Sequence, residues 1–278
     1  MGEIVGIGLI PGLPHLLARD PAPSWEQLAG AAREMGEEWR AAGAEALMVM
    51  STQWFTVLGH NFQARPQLRG TYVDENWYAY DYGTFDYEIE TADALVRGWG
   101  GEAAADGFQV HMTDYEGFPI DTGSLVAQRL LDPQRNLPMA IMSCNLYAAA
   151  GDMERLGHAG ARAAAGLDLK VACVAVSGLS GGWTNRWIEP REDEVSSPAH
   201  DAWNRRMLEW LEAGDSATAL AERERYSEES EVDSQLRALP LIEGWAGTLG
   251  PAQIRSYGPV WGTGAAVVSW NKQQGGSS

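Results

Sequence analysis

Apolar residues fall along this chain in short unbroken runs, separated by stretches in which they recur at helical spacing. Residues 4–10, 44–50, 139–144 and 171–176 are four such runs, each bounded by Gly, Pro or polar residues. Runs of this length rich in Val, Ile and Met predict strands buried on both faces, as in a parallel sheet. Between the first two, Ser24 reads as an N-cap with Gln27 three residues later, predicting a helix to about Ala42 before Gly43. A strand, helix, strand order implies a right-handed crossover, so both strands end on the same edge of the sheet. The alternation continues with helices expected over 87–99, 124–131, 152–165, 198–212 and 233–245, and another capped by Asp215 or Ser216. A short strand is expected over 108–112 and closing strands over 254–257 and 265–270, while the charged stretch 222–233 reads as a solvated helix end or a connection. The expected class is α/β, with one domain over residues 1–270 built on a central, mostly parallel or mixed sheet flanked by helices. Residues 271–278 (NKQQGGSS) read as a flexible tail.

The polar stretch 51–78 (STQWFTVLGHNFQARPQLRGTYVDENWY) leaves the second strand at the edge where open α/β sheets bind ligands. The loop after the first strand carries Gly12 and His15, which the shared edge brings towards Gln53 and His60. A further loop over 114–123 (DYEGFPIDTG) adds Tyr115. His15 and His60 with one carboxylate would suffice for a two-His, one-carboxylate Fe(II) site that leaves positions open for substrate and oxygen. A buried, hydrogen-bonded structural histidine is the commoner role. His111, His158 and His200 read as surface or capping residues, and Glu231 and Asp233 fall in a charge run whose default is a solvated face. Glu243 follows an apolar helical turn. No GxGxxG or Walker pattern occurs; the run 177–182 (SGLSGG) comes after a strand and is not read as a nucleophile elbow, although Gly178, Ser180 and Gly182 have GxSxG spacing.

Composition narrows the classes further. The 278 residues are 45% hydrophobic and 21% charged, enough for a sizeable core. A formal charge of -18, from 38 acidic against 20 basic residues, argues against nucleic acid and anionic membrane surfaces as partners. No apolar run approaches the roughly 20 residues of a membrane span, and the start lacks the basic region of a signal peptide. Cys144 and Cys173 each lie inside an apolar run, so buried free thiols in a reducing cytoplasm are expected.

Residues 8–17 (GLIPGLPHLL), 51–62 (STQWFTVLGHNF), 176–187 (VSGLSGGWTNRW) and 256–270 (SYGPVWGTGAAVVSW) together resemble the class III extradiol dioxygenases. The likeness is greatest to the subunits of 2-aminophenol 1,6-dioxygenase, and the segments keep family order over nearly the whole chain. The resemblance implies an α/β fold in which active members hold Fe(II) at the carboxyl edge through two histidines and a glutamate, with a further histidine as acid/base. Matched residue by residue, the first ligand position falls on Gly12, and His15 matches a second family histidine three residues on. The second ligand position falls on Gln53, the glutamate on Glu231 and the acid/base position on Gly181, while His60 matches a different, downstream family histidine. A glycine has no donor side chain and a neutral amide is a poor ligand for Fe(II), so no metal is expected in this chain.

The resemblance therefore implies a non-catalytic α-type subunit, assembled as α2β2 with a homologous β subunit that carries Fe(II) and opens an aromatic substrate. Two other readings stay open. An enzyme in its own right would hold Fe(II) here through His15, His60 and Glu231 or Glu243. A binding protein would take a small aromatic molecule in a vestigial cleft with His15, Gln53, His60, Arg65 and Tyr115. Aromatics among Trp77, Tyr78, Tyr80, Tyr82, Trp183 and Trp187 are candidate interface anchors.

Overall fold

Four strands that are apolar on both faces stand side by side in the middle of an eight-stranded mixed sheet. The computed structural model describes residues 2–74, 84–182 and 187–270. In chain order these form β1 (Glu3–Ile10), α1 (Pro23–Ala41), β2 (Ala46–Thr56), β3 (His60–Gln63), β4 (Gln67–Val73), β5 (Thr84–Glu90), α2 (Asp93–Ala105), β6 (Val110–Thr113) and α3 (Thr122–Leu131). Then come β7 (Met139–Asn145), α4 (Ala150–Gly166), β8 (Lys170–Val176), α5 (Pro198–Glu212), α6 (Ser216–Ala221), α7 (Arg223–Ser230), α8 (Ala238–Ala246), β9 (Gln253–Val260) and β10 (Thr263–Trp270). The sheet order is β6-β3-β7-β2-β8-β1-β10-β9. β7, β2, β8 and β1 are parallel, and antiparallel pairings at β3 and β10 close both sides.

Side chains on the central strands alternate between two apolar layers, as the pleat requires. Met48, Met50, Cys173 and Ala175 pack with Trp99, Met153, Leu156 and Trp245 on one face. Leu47, Val49, Val174 and Val176 pack with Trp25, Leu28, Met35 and Leu125 on the other. Helices α2, α4 and α8 thus cover the first face, and α1 and α3 the second. Cys144 and Cys173 are both fully buried. No helix among the described residues is long and apolar enough to cross a membrane.

Several expectations change. β2 does not stop at Met50 but runs to Thr56, because its last residues pair with the end of β7 after a register shift between Ser51 and Phe55. The stretch expected as one long loop is therefore three strands, reversing first at Gly59, whose φ of +64° suits a glycine. The helix expected over 87–99 is β5 followed by α2: TFDYEIE alternates polar and apolar with period two, and β5 pairs antiparallel with β4. Ser24 does not cap α1; Ala22 holds that place and Pro23 supplies the first turn. The charged stretch 222–233 contains α7, and α8 begins only at Ala238 because Ser234, Gln235 and Leu236 have positive φ. Asp215 does cap its helix, accepting from Thr218 N at 3.1 Å. Trp77, Tyr78, Tyr80, Tyr82, Trp183 and the tail 271–278 lie outside the described residues.

Candidate functional site

A cleft of about 450 Å³ opens at the carboxyl ends of β1, β2 and β8, and Gly12, Gln53, Gly181 and Glu231 all line it. The parallel order β2-β8-β1 explains the meeting, since each of the three strands ends on this edge. Gly12 comes after β1, Gln53 lies near the end of β2, Gly181 comes after β8, and Glu231 ends α7 in a left-handed conformation.

Backbone and core atoms fill the places where side chains would project from the two glycines. A Cβ on Gly12 would stand 2.6 Å from Val176 Cγ1, 2.9 Å from Gly123 Cα and 2.9 Å from Gln53 Nε2. A Cβ on Gly181 would stand 2.3 Å from the carbonyl oxygen of Glu231, the same oxygen that accepts from Gly181 N at 2.9 Å. That loop is held from below as well. Buried Asn204 accepts from Ser180 N and donates to Ser180 Oγ and Tyr257 OH, and Tyr226 OH donates back to Asn204.

An Fe(II) ion needs several converging donors, and these positions supply one amide and one exposed carboxylate. The residues therefore do not fit the ion. Among the described residues no three His, Cys, Asp or Glu side chains come together as a metal site requires.

Asp233, which the sequence placed in a solvated charge run, is instead a cleft residue. Its Oδ2 accepts from Thr52 Oγ1 at 2.7 Å, Gly178 N at 2.8 Å and Ser177 Oγ at 3.3 Å, so it ties the ends of β2 and β8 to the segment after α7. Asp233→Ala would leave Gly178 N without its acceptor, while Thr52 Oγ1 and Ser177 Oγ keep the Val176 and Gly178 carbonyls. A loss of about 1–3 kcal/mol is expected, hence a fall in Tm of roughly 3–10 °C. Thermal unfolding checks this, and an unchanged Tm would show that the carboxylate is not a strut. The cleft is also acidic: Asp74, Glu231 and Asp233 line it, and no Lys or Arg does among the described residues. Beside it, Asp121 accepts from Ser124 N to cap α3 and from Ser51 Oγ at 2.5 Å, fixing α3 to β2.

The remaining candidates lie elsewhere. His15 sits in a short 3-10 turn, Pro14–Leu17, that carries it away from the edge. It is fully buried, with its ring 4.9 Å from Trp25 and 5.6 Å from Trp261, and burial pushes its pKa down to about 3. Asp193 braces that aromatic layer by accepting from Trp25 Nε1 and from the backbone N–H of Trp261 and Gly262. His60 begins β3 on the opposite face of the sheet, edge-on to Phe108, and burial lowers its pKa to about 4, opposed by the Asp152 carboxylate. The sheet thus separates His15 from His60, so the two do not converge on one metal.

Glu243 packs on α8 near Glu154 and His158 of α4, with its carboxyl raised by burial and then by Glu154. Arg65 lies between β3 and β4, where its carbonyl accepts from Thr91 Oγ1. Tyr115 is exposed and reaches back to His111 Nε2 at 3.0 Å. Of the five residues expected in a vestigial cleft, the structure places Gln53 there and His15, His60, Arg65 and Tyr115 outside it. The physical reason is direction: strand order fixes where a loop begins, not which face its side chains turn to.

Comparison with known proteins places this geometry in context. No protein-family model matches the chain. It is 32% identical over 272 residues to the 2-aminophenol 1,6-dioxygenase alpha subunit of Pseudomonas sp, covering 96% of this chain and 99% of that one. To the 2-aminophenol 1,6-dioxygenase beta subunit of Pseudomonas sp it is 26% identical over 300 residues, covering 99% and 96%. An uncharacterized protein of Escherichia coli shares the fold, with a TM-score of 0.65 at 16% identity over 95% of this chain and 99% of that one.

Proposed function

The chain belongs to the family of 2-aminophenol 1,6-dioxygenase subunits, and from that premise we propose that it is a non-catalytic α-type subunit, which binds and supports a homologous iron-bearing β-type subunit. The observation that carries this reading is the closure at Gly12 and Gly181: two of the positions that an active relative would need for side-chain donors have no room for a Cβ. The aromatic ring would be opened in the β-type partner, with Fe(II) held there, and the pair would assemble as α2β2. Two cysteines, both buried in the core, suit a reducing cytoplasm as the place of work.

Iron content and ring opening of 2-aminophenol test the reading on the isolated chain, on its cognate β-type homologue and on their mixture. The expected result is no stoichiometric iron in the isolated chain, turnover only where the homologue is present, and a more active or longer-lived homologue in the mixture. Stoichiometric iron with turnover by the chain alone would overturn it.

A second reading has its own support in the cleft, which stays open at about 450 Å³ although its ligand positions are closed. Three carboxylates and no basic residue among the described lining favour a neutral or cationic small molecule over an anion. Such a site would bind 2-aminophenol without turning it over. Calorimetric titration decides: saturable binding supports this reading, and no heat up to millimolar ligand removes it.

A further inference from the structure

An apolar platform stands beside the cleft, and we infer that it is the surface on which the homologous β-type subunit docks. The inference rests on the α-type reading and adds the place of contact. Four of the eight large apolar side chains exposed among the described residues gather here. They are Phe55 at 61%, Val57 at 49% and Leu58 at 78% from the end of β2 and its turn, with Tyr147 at 79% from the loop after β7.

The two segments are tied into one unit. Phe55 pairs with Cys144 across β2 and β7, Leu146 N donates to the Thr56 carbonyl at 2.9 Å, and Asn145 Nδ2 donates to the Gly59 carbonyl at 2.8 Å. Tyr147 N donates to Asn145 Oδ1 at 2.8 Å, and Thr56 Oγ1 to the Gly59 carbonyl at 3.1 Å. The turn that carries Val57 and Leu58 is thus closed at Thr56 and Gly59 and tied to the Tyr147 loop, which lowers the loop entropy that docking would cost.

Area and charge select the occupant. The four side chains expose on the order of 400 Å², comparable to the largest apolar patches on monomers, which are often functional. That is about half of the roughly 800 Å² that each partner contributes to a standard interface, leaving the rest to a polar rim. A second copy of this chain would bring together two net charges of -18, and that repulsion disfavours self-pairing. A homologous β-type subunit of lower net charge would not meet that repulsion. The platform begins two residues after Gln53 on the same strand, so a partner seated on it would stand against the rim of the cleft.

Leu58→Asp and Tyr147→Asp test the surface, with Leu167→Asp, between the end of α4 and the start of β8 and so at the opposite end of the sheet, as control. Affinity for the cognate β-type subunit is measured by calorimetry and the complex by size-exclusion chromatography with light scattering; circular dichroism and Tm confirm that each variant folds. A buried charge at an interface centre is expected to weaken binding by about 30-fold or more for each platform variant, with the control within about threefold. Wild-type affinity in folded platform variants would overturn the docking surface while leaving the subunit reading intact. Absence of any wild-type complex would overturn both. Self-association that Leu58→Asp abolishes would overturn the choice of occupant.

Discussion

Histidines placed at both Gly12 and Gln53 are expected to give a less stable protein that still takes up no stoichiometric Fe(II). The substitutions would restore the donor types that the resemblance implies, yet not the space. A Cβ at residue 12 meets Val176 Cγ1 at 2.6 Å and Gly123 Cα at 2.9 Å, and neither can rotate away as a flexible chain end could. Only the third neighbour, the Gln53 amide, is removed by the second substitution. Overpacking of this kind costs about 1–3 kcal/mol at a single well-packed site, or a fall in Tm of roughly 3–10 °C for a chain of this size.

Adding Gly181→His should be worse, since its Cβ meets the Glu231 carbonyl oxygen at 2.3 Å and displaces a loop fixed by the Asn204 network. Metal analysis after anaerobic loading, with scanning calorimetry, reads both effects. One iron per chain at an unchanged Tm would show that only side chains had been lost, and would remove the main support for the α-type reading.

Much of this architecture was legible because burial on both faces leaves an unbroken apolar run, which is how β1, β2, β7 and β8 declare themselves. The resemblance pointed to Gly12, Gln53, Glu231 and Gly181, and three strand ends on one edge with the end of α7 bring those four to one cleft. The hairpin β4–β5 was harder to read. Only two residues separate the end of β5 from α2, so the helical spacing of α2 can be extended back over TFDYEIE, although Phe85, Tyr87 and Ile89 carry a two-residue period. Asp233 was hidden for a different reason: within EVDS it is one more charge, and its partners Thr52 and Gly178 lie 181 and 55 residues away. The contrast between His15 and His60 has the same origin. Both belong to segments that leave the expected edge, but one 3-10 turn and one strand reversal send their rings to opposite layers.

Acid is expected to destabilise this chain from about pH 6.5 downward, against the trend its charge would set. At a net charge of -18, mild acidification relieves self-repulsion, which by itself would raise stability towards the isoelectric point near 4.6. The buried histidines act in the opposite direction. Burial holds His15 at about 3 and His60 at about 4, both below the ordinary value of 6.5. Below pH 6.5 the unfolded chain therefore binds protons that the folded chain refuses, and the stability is lost progressively until the folded values are reached. By pH 4.5 each histidine costs about 2–3 kcal/mol, or on the order of 5 kcal/mol together, comparable to the whole stability of many domains. Urea unfolding at pH 7.5 and pH 4.5 measures the difference in wild type and in the His15→Phe/His60→Phe double variant. That variant keeps an aromatic ring against Trp25, Trp261 and Phe108 but has nothing to protonate. Its pH 7.5 stability will shift for packing reasons, so the quantity that decides is the change between the two pH values. The wild type should lose several kcal/mol more than the variant; equal losses would assign the acid sensitivity to groups other than these two histidines.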